Sequence, residues 1–125
     1  MNTISTVDCK SDASSSALAL SLDWSNIRDF NNHPYIITTL SDGRAVIVDT
    51  QTEAIVNDWK AHDYECWIGA WDHYANNNIV YTGADDCLLK SWDLRVGTET
   101  PVLTNKRFVD IILIYYFRLI FLEIN

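Results

Sequence analysis

The sequence predicts an all-β fold composed of two similar four-stranded units. Short apolar runs alternate with turn-forming residues throughout positions 17–107, and no window keeps the period of an amphipathic helix. The two halves of this stretch repeat one another, which indicates that one structural unit occurs twice. Both observations favour sheets over helices as the framework of the chain.

Each half of the repeat contains four candidate strands. The predicted strands are Ala17–Trp24, Tyr35–Leu40, Arg44–Asp49, Ala54–Trp59, Cys66–Trp71, Ile79–Thr82, Leu88–Asp93 and Pro101–Thr104. The breaks between them carry turn residues, for example Ser41-Asp42-Gly43. Asn, Asp and Gly favour turns because they adopt backbone conformations that most residues avoid. We therefore place the connections between strands at these breaks.

The repeat is clearest around two Asp residues. Asp42 aligns with Asp86, which gives an offset of 44 residues between the two copies. Four strands at a period of this size are typical of a β-propeller blade. We assign residues 17–60 to a first blade and residues 61–107 to a second.

The second blade resembles a WD repeat. His62 precedes its first strand, and its third strand ends in Trp92-Asp93, the dipeptide that names the repeat. The resemblance implies that His62, Thr82, Asp86 and Trp92 form a structural network of hydrogen bonds, in which the Asp86 carboxylate accepts from the imidazole and from turn N–H groups. We therefore predict a partial WD-repeat β-propeller with about two four-stranded antiparallel blades.

The first blade is a degenerate copy of the second. It has Val48 where the second blade has Trp92, and Ser15 falls at the position of the His. A Val side chain cannot donate a hydrogen bond, so we expect the first blade to lack the full network.

Composition and cysteine spacing narrow the classes of partner. The net charge is −8 and the Lys and Arg residues do not cluster, whereas nucleic-acid binding needs a basic surface for phosphate contacts. Cys9, Cys66 and Cys87 lack the spacing of a metal site, and we expect them to be reduced thiols of a cytoplasmic protein. The sequence thus predicts no nucleic-acid partner and no metal.

Both ends of the chain depart from the repeat. Residues 1–16 are polar and Ser-rich without the features of a signal peptide, and we expect a disordered N-terminal segment. Residues 108–125 form an apolar tail, whose uninterrupted run Ile111–Phe117 is far shorter than the ~20 residues of a membrane span. We expect the tail to lie outside the propeller pattern and predict no membrane association.

Two stretches go beyond the general WD pattern. Residues Trp59–Trp71 contain His-x-x-Glu-x-Trp followed by an aromatic-rich strand, and Val80–Arg95 contains the Trp-Asp dipeptide. Together with Leu20–Ser25, they resemble the diphthine methyl ester hydrolase family of diphthamide biosynthesis. Members of that family are full propellers several times as long as this chain. We therefore expect a truncated fragment in which residues 108–125 are not family sequence.

The resemblance implies an enzyme that needs no cofactor. The reaction is hydrolysis of the methyl ester of methylated diphthine, the modified histidine of translation elongation factor 2. In the loop between the blades, His62 is a candidate general base that Asp63 or Glu65 could orient. The substrate carries a quaternary ammonium group, which the rings of Tyr64 and Trp67 could bind by cation–π attraction.

Each of these residues also has a structural interpretation. His62 matches the network residue of a WD repeat, Asp63 and Glu65 suit a solvated loop, and Trp67 suits a core strand. No nucleophile elbow of the Gly-x-Ser-x-Gly type is present. A non-catalytic WD-repeat scaffold for protein interaction is therefore the alternative function. The loop from Asp63 to Trp67 is the feature that favours the hydrolase family.

Overall fold

The structure is a computed structural model that describes residues 5–9, 16–25, 33–74 and 78–106. The strands in these residues are β1 (Ala19–Trp24), β2 (Tyr35–Leu40), β3 (Arg44–Asp49), β4 (Ala54–Lys60), β5 (Cys66–Trp71), β6 (Ile79–Ala84), β7 (Leu89–Asp93) and β8 (Leu103–Asn105). All the predicted strands are present, and each predicted bound lies within two residues of the observed one. The described part of the chain contains no helix, and hence none that could cross a membrane.

The strands form two four-stranded sheets in which sequence neighbours pair antiparallel. The first sheet has the order β1-β2-β3-β4, and the second has the order β5-β6-β7-β8. Strands β2 and β3 are rich in β-branched residues, which fit the pleated surface of a sheet. The prediction of two antiparallel four-stranded blades is confirmed, and we call the first sheet blade 1 and the second blade 2.

The main core lies between the two blades. Blade 1 contributes Ile37 and Ile47, and blade 2 contributes Trp71 and Val80, all of them at most 1% exposed. At the outer side of this interface the rings of Trp59 and Trp92 meet edge to face, with centroids 5.6 Å apart. Burial of this apolar surface is the main term that holds the blades together.

Two side chains of blade 1 also bind the backbone of blade 2. The N–H of Gly69 donates to Oγ of Ser21 over 3.0 Å, and the N–H of Trp71 donates to Oδ2 of Asp23 over 2.8 Å. β5 is the edge strand of blade 2, and an unpaired edge N–H group is costly when it is buried. Ser21 and Asp23 thus supply the acceptors that a neighbouring strand would otherwise provide.

Gly69 permits the close approach of β5 to blade 1. A Cβ at this position would lie 2.7 Å from Cγ2 of Thr39 and 3.4 Å from Cδ1 of Ile37. The first distance is shorter than any normal carbon–carbon contact, so a larger residue would push the blades apart. The Thr39 hydroxyl bonds the Ser21 hydroxyl at 2.5 Å, which fixes the methyl group against Gly69.

The structure describes part of the N-terminal segment and none of the C-terminal tail. Residues 5–9, within the segment expected to be disordered, contact blade 1 through Val7 and Cys9. The apolar tail, residues 108–125, lies outside the described residues.

Candidate functional site

Three connections come together at one end of the two blades. They are the β2–β3 turn (41–43), the β4–β5 loop (61–65) and the β6–β7 turn (85–88), which we call the loop end. The carbonyl of Gly43 accepts from the N–H groups of Ala61 and His62, each over 3.0 Å. The N–H of Asp85 donates to the carbonyl of Glu65 over 3.1 Å. The loop between the blades is therefore tied to a turn of each blade.

Gly43 is required at the centre of the loop end for two reasons. Its φ is +89°, in the left-handed region that favours glycine. A Cβ at this position would also overlap the carbonyl oxygen of His62. The backbone of the loop thus rests directly on the turn of blade 1, which fixes where the residues after His62 emerge.

The structure brings together the four residues of the expected network. Nδ1 of His62 lies 2.7 Å from Oδ2 of Asp86, and Nε2 of His62 lies 2.9 Å from Oγ1 of Thr82. Trp92 donates from Nε1 to the same Thr82 oxygen over 2.9 Å. The N–H of Leu88 donates to the other Asp86 oxygen over 3.0 Å. Together these bonds link the loop to three strands or turns of blade 2.

When His62 is neutral, every hydrogen bond of the network has one donor and one acceptor. Thr82 accepts from Trp92, so its own O–H is available to donate to Nε2 of His62, and Nδ1–H of His62 donates to Asp86. Burial lowers the pKa of His62 and outweighs the opposing effects of the hydrogen bond and negative charge of Asp86. The imidazole is therefore neutral at pH 7, with both nitrogens engaged.

This geometry favours the structural interpretation of His62 over the catalytic one. Its side chain is 0% exposed, and neither nitrogen has a lone pair left to take a proton from a substrate. The residue that orients the imidazole is Asp86, whereas Asp63 and Glu65 were the expected partners. A general base must reach the proton that it removes, so we favour a role for His62 in the fold of blade 2.

The remaining candidates lie on the outside of the loop end. Asp63, Glu65 and Tyr64 are exposed, Tyr64 by 61%, and Trp67 at the start of β5 is 40% exposed. No described residue donates a hydrogen bond to the carboxylate of Asp63 or Glu65. The structure thus separates the predicted site into a buried network and an exposed surface of two carboxylates and two aromatic rings.

Blade 1 uses a different set of charges at the equivalent turn, which the sequence did not reveal. Nε of Arg44 donates to Oδ2 of Asp42 over 2.9 Å, and Nη1 donates to both oxygens of Asp58, at 3.0 and 2.8 Å. Burial of the Asp42 carboxyl group opposes its ionisation, but the hydrogen bonds that it accepts from Arg44 and the positive charge of Arg44 outweigh burial, so the pKa of Asp42 is lowered. The sequence signal for this ion pair was Arg44, a charged residue followed by four apolar residues of β3.

Cys66 is the buried cysteine of the chain. Burial raises the pKa of Cys66 to about 12, so this thiol stays protonated at neutral pH. Among the described residues, no group of three or more His, Cys, Asp and Glu side chains could hold a metal ion.

Comparison with known proteins bears on the identity of the chain. It is 38% identical to the mouse diphthine methyltransferase over 97 residues, and 40% identical to the human one over the same length. It is 38% identical to the Schizosaccharomyces pombe diphthine methyltransferase over 86 residues. These alignments cover 72, 72 and 67% of this chain. The chain is therefore a relative of the diphthine methyltransferases over two thirds or more of its own length.

The chain spans about a fifth to a quarter of these family members, covering 20% of the mouse protein, 21% of the human and 24% of the S. pombe protein. No protein-family model matches it. A WD-repeat propeller chain in the crystal structure of a mitotic checkpoint complex aligns with a TM-score of 0.57 and 18% identity, over 71% of this chain and 25% of that one. This likeness concerns the fold, and it supports two adjacent blades of a WD-repeat propeller.

Proposed function

We propose that this chain contributes two propeller blades to a protein of diphthamide biosynthesis. The supporting observation is the 38–40% identity to three relatives named diphthine methyltransferase, over two thirds or more of the chain. The matched lengths of 86 to 97 residues are too long for an isolated motif. The protein substrate in this proposal is translation elongation factor 2.

The reaction that we propose is hydrolysis of the methyl ester of methylated diphthine. Water adds to the ester carbonyl, the bond from the acyl carbon to the methoxy oxygen breaks, and the products are a carboxylic acid and methanol. The family name refers instead to methyl transfer, in which a methyl donor would place the group on diphthine. The two reactions move the methyl group in opposite directions, which makes them separable by experiment.

The exposed surface of the loop end suits the cationic substrate. Asp63 and Glu65 flank Tyr64 in the loop, and Trp67 follows at the start of β5. Methylated diphthine carries a quaternary ammonium, which is attracted by aromatic faces and by carboxylates that are not already paired. We assign Tyr64 and Trp67 to substrate binding.

Glu65 and Asp63 remain the candidates for activating the water. Both are exposed, and Glu65 is fixed through its backbone carbonyl, which accepts from the N–H of Asp85 over 3.1 Å. His62 acts on this site only by holding the loop, through its side-chain bond to Asp86 and its backbone bond to Gly43. Its substitution would therefore disturb the blade as well as the reaction.

The test follows the fate of an isotopically labelled methyl group. Elongation factor 2 carrying methylated diphthine with a labelled ester methyl is incubated with a full-length protein that contains these two blades, and with the 125-residue chain. We expect labelled methanol from the full-length protein and none from the chain. A parallel reaction supplies labelled S-adenosylmethionine and unmethylated diphthine, and label transferred to diphthine would support methyl transfer instead.

Matched variants locate the site within the full-length protein. Glu65→Gln should lower the rate of methanol release at unchanged melting temperature, and Tyr64→Leu should raise KM. Tyr74→Leu is the control for Tyr64, because Tyr74 is an exposed tyrosine in the β5–β6 connection, away from the loop end. Full turnover by Glu65→Gln would remove Glu65 from the mechanism.

The alternative function is a non-catalytic scaffold for protein interaction. The observation that favours it is the burial of His62, which leaves the described residues of the loop end without an assembled acid–base pair. A scaffold would bind elongation factor 2 in a pull-down, yet it would produce neither methanol nor a transferred methyl group. The cytoplasmic location and the absence of nucleic-acid and membrane partners stay predictions.

A further inference from the structure

The peptide unit between Ala61 and His62 is held by both blades. Its N–H, which belongs to His62, donates to the carbonyl of Gly43 in blade 1 over 3.0 Å. Its C=O, which belongs to Ala61, accepts from Nζ of Lys90 in blade 2 over 2.8 Å. Because a peptide unit is planar, hydrogen bonds on its two sides fix the orientation of the whole plane. The β4–β5 loop therefore starts in one orientation relative to both blades.

Lys90 is placed for this bond by its strand. It lies on β7 two residues before Trp92, and alternate residues of a strand share one face. Its ammonium group lies 5.9 Å from the centroid of the Trp92 ring, a distance at which cation–π attraction acts. The ring and the carbonyl of Ala61 together determine where Nζ of Lys90 lies.

The repeat by itself does not require a lysine at this position. The equivalent residue of blade 1 is Val46, 44 residues earlier, which is apolar and buried. Lys90 is half-buried, and a cation that loses hydration needs a hydrogen-bonded partner to offset the cost. Because its partner is the carbonyl of Ala61, the charge of Lys90 acts on the loop.

The far end of the same loop is fixed as well. The carbonyl of Glu65 accepts from the N–H of Asp85 over 3.1 Å. Two residues, Asp63 and Tyr64, lie between Glu65 and the fixed peptide unit of His62. In so short a segment, a shift at the first fixed point changes the direction of every side chain that follows. The contact of Lys90 thus bears on the exposed carboxylates of the loop.

We propose that Lys90 is a positioning residue for the hydrolysis reaction, which acts through the carbonyl of Ala61 to aim Glu65 at the substrate. This inference rests on the proposed function, because it concerns the same exposed surface. Lys90 does not touch the substrate in this role. A group that activates water must be held to within about half an ångström, and a loop that pivots at Ala61 loses that placement.

Turnover by the full-length protein tests the effect on the reaction, at a temperature well below the melting transition of every variant. Lys90→Met keeps an unbranched stem on Trp92 but removes the donor. Its kcat for methanol release should fall about tenfold, which corresponds to ~1.4 kcal/mol. Lys90→Arg retains a cationic donor and should keep most of the wild-type rate. Lys60→Met is the matched control, because Lys60 is exposed and bonds the carbonyl of Asp42 in the turn of blade 1.

Amide hydrogen exchange in the 125-residue chain tests the hold on the loop without reference to the reaction. In Lys90→Met, the amides of His62 and Asp85 should exchange about tenfold faster than in the wild-type chain, since both are bonded at the loop. The amide of Gly69, which is bonded between the blades, should keep its rate. Equal acceleration of all three amides would show that Lys90 supports the whole fold, and would overturn the proposal.

The outcomes separate this inference from the proposed function. A wild-type full-length protein that releases no methanol removes the proposed function. An active wild-type protein whose kcat is unchanged in Lys90→Met leaves that function standing and removes the role of Lys90. Equal losses in Lys90→Arg and Lys90→Met would show that the donor is not what matters. An equal loss in Lys60→Met would assign the effect to charge alone, and either result would overturn the proposal.

Discussion

Asp42 and Asp86 stand 44 residues apart at equivalent turns, yet their side chains bind different partners. Each accepts from the N–H two residues later, at 3.1 Å in blade 1 and 3.0 Å in blade 2. The second oxygen of Asp86 meets buried His62, whereas that of Asp42 meets Arg44. One sequence position thus supports a hydrogen bond to an uncharged imidazole in one blade and an ion pair with an arginine in the other.

Loss of Asp86 should cost more stability than loss of Asp42. Asp86→Ala leaves the buried Nδ1–H of His62 and the N–H of Leu88 without acceptors, and should lower the free energy of unfolding by about 2–4 kcal/mol. Asp42→Ala should cost about 1 kcal/mol, because Arg44 keeps Asp58 as its partner. Urea denaturation measures both. Asp85→Ala, at the exposed neighbour, is the control, and equal losses for Asp42 and Asp86 would contradict the assigned network.

The hydroxyl of Thr82 should matter more than its methyl group. Thr82→Val keeps the shape but deprives His62 and Trp92 of their shared partner, and should cost about 2–4 kcal/mol. Thr82→Ser keeps the hydroxyl and should cost roughly 1 kcal/mol for the lost methyl group. Denaturation curves followed by tryptophan fluorescence compare the two. A Val variant as stable as the Ser variant would show that the hydrogen bonds at Thr82 contribute nothing.

Stability should fall as the pH drops below about 6.5, the ordinary pKa of histidine. The folded chain resists protonation of His62 because burial lowers its pKa, while the unfolded chain takes up the proton at the ordinary value. The stabilisation is therefore complete above that value and is lost as the pH falls towards the folded-state pKa, by at most about 1.4 kcal/mol per pH unit.

The midpoints of urea denaturation, measured between pH 7.5 and 5, give the slope of stability against pH. The carboxyl groups of Asp42, Asp49 and Asp93 have lowered pKa values, so their effects begin at more acidic pH. His62→Gln should abolish the slope in this window, and His73→Gln, at an exposed histidine, should keep it. A slope that survives in His62→Gln belongs to another group.

A double substitution should reveal the contact between Gly69 and Thr39. Gly69→Ala places a methyl group against Cγ2 of Thr39 and should cost about 1–3 kcal/mol through forced separation of the blades. Thr39→Ser removes that methyl group and keeps the hydroxyl for Ser21. The pair should therefore be more stable than the sum of the two single changes predicts, by about 1 kcal/mol in a double-mutant cycle. Strict additivity would mean that the two side chains do not meet.

The strands and their repeat were predictable because they rest on local chemistry. A run of four β-branched residues favours a strand at β2. Ser41-Asp42-Gly43 specifies the turn after it, since strand and turn preferences act over a few residues. The two blades follow from the 44-residue offset. The members of the His62 network also came from the sequence, because a WD repeat places them at recognisable positions.

What only the tertiary structure decided involves residues distant in the chain. The burial of His62 depends on how the β4–β5 loop rests on Gly43, and this burial favours the structural interpretation of the imidazole. The bonds from Gly69 and Trp71 to Ser21 and Asp23 span 48 residues, and the bond from Arg44 to Cys9 spans 35. Sequence periodicity fixes which face of a strand a side chain occupies. Which distant group meets that side chain is set by how the sheets stack and how the loops close over them.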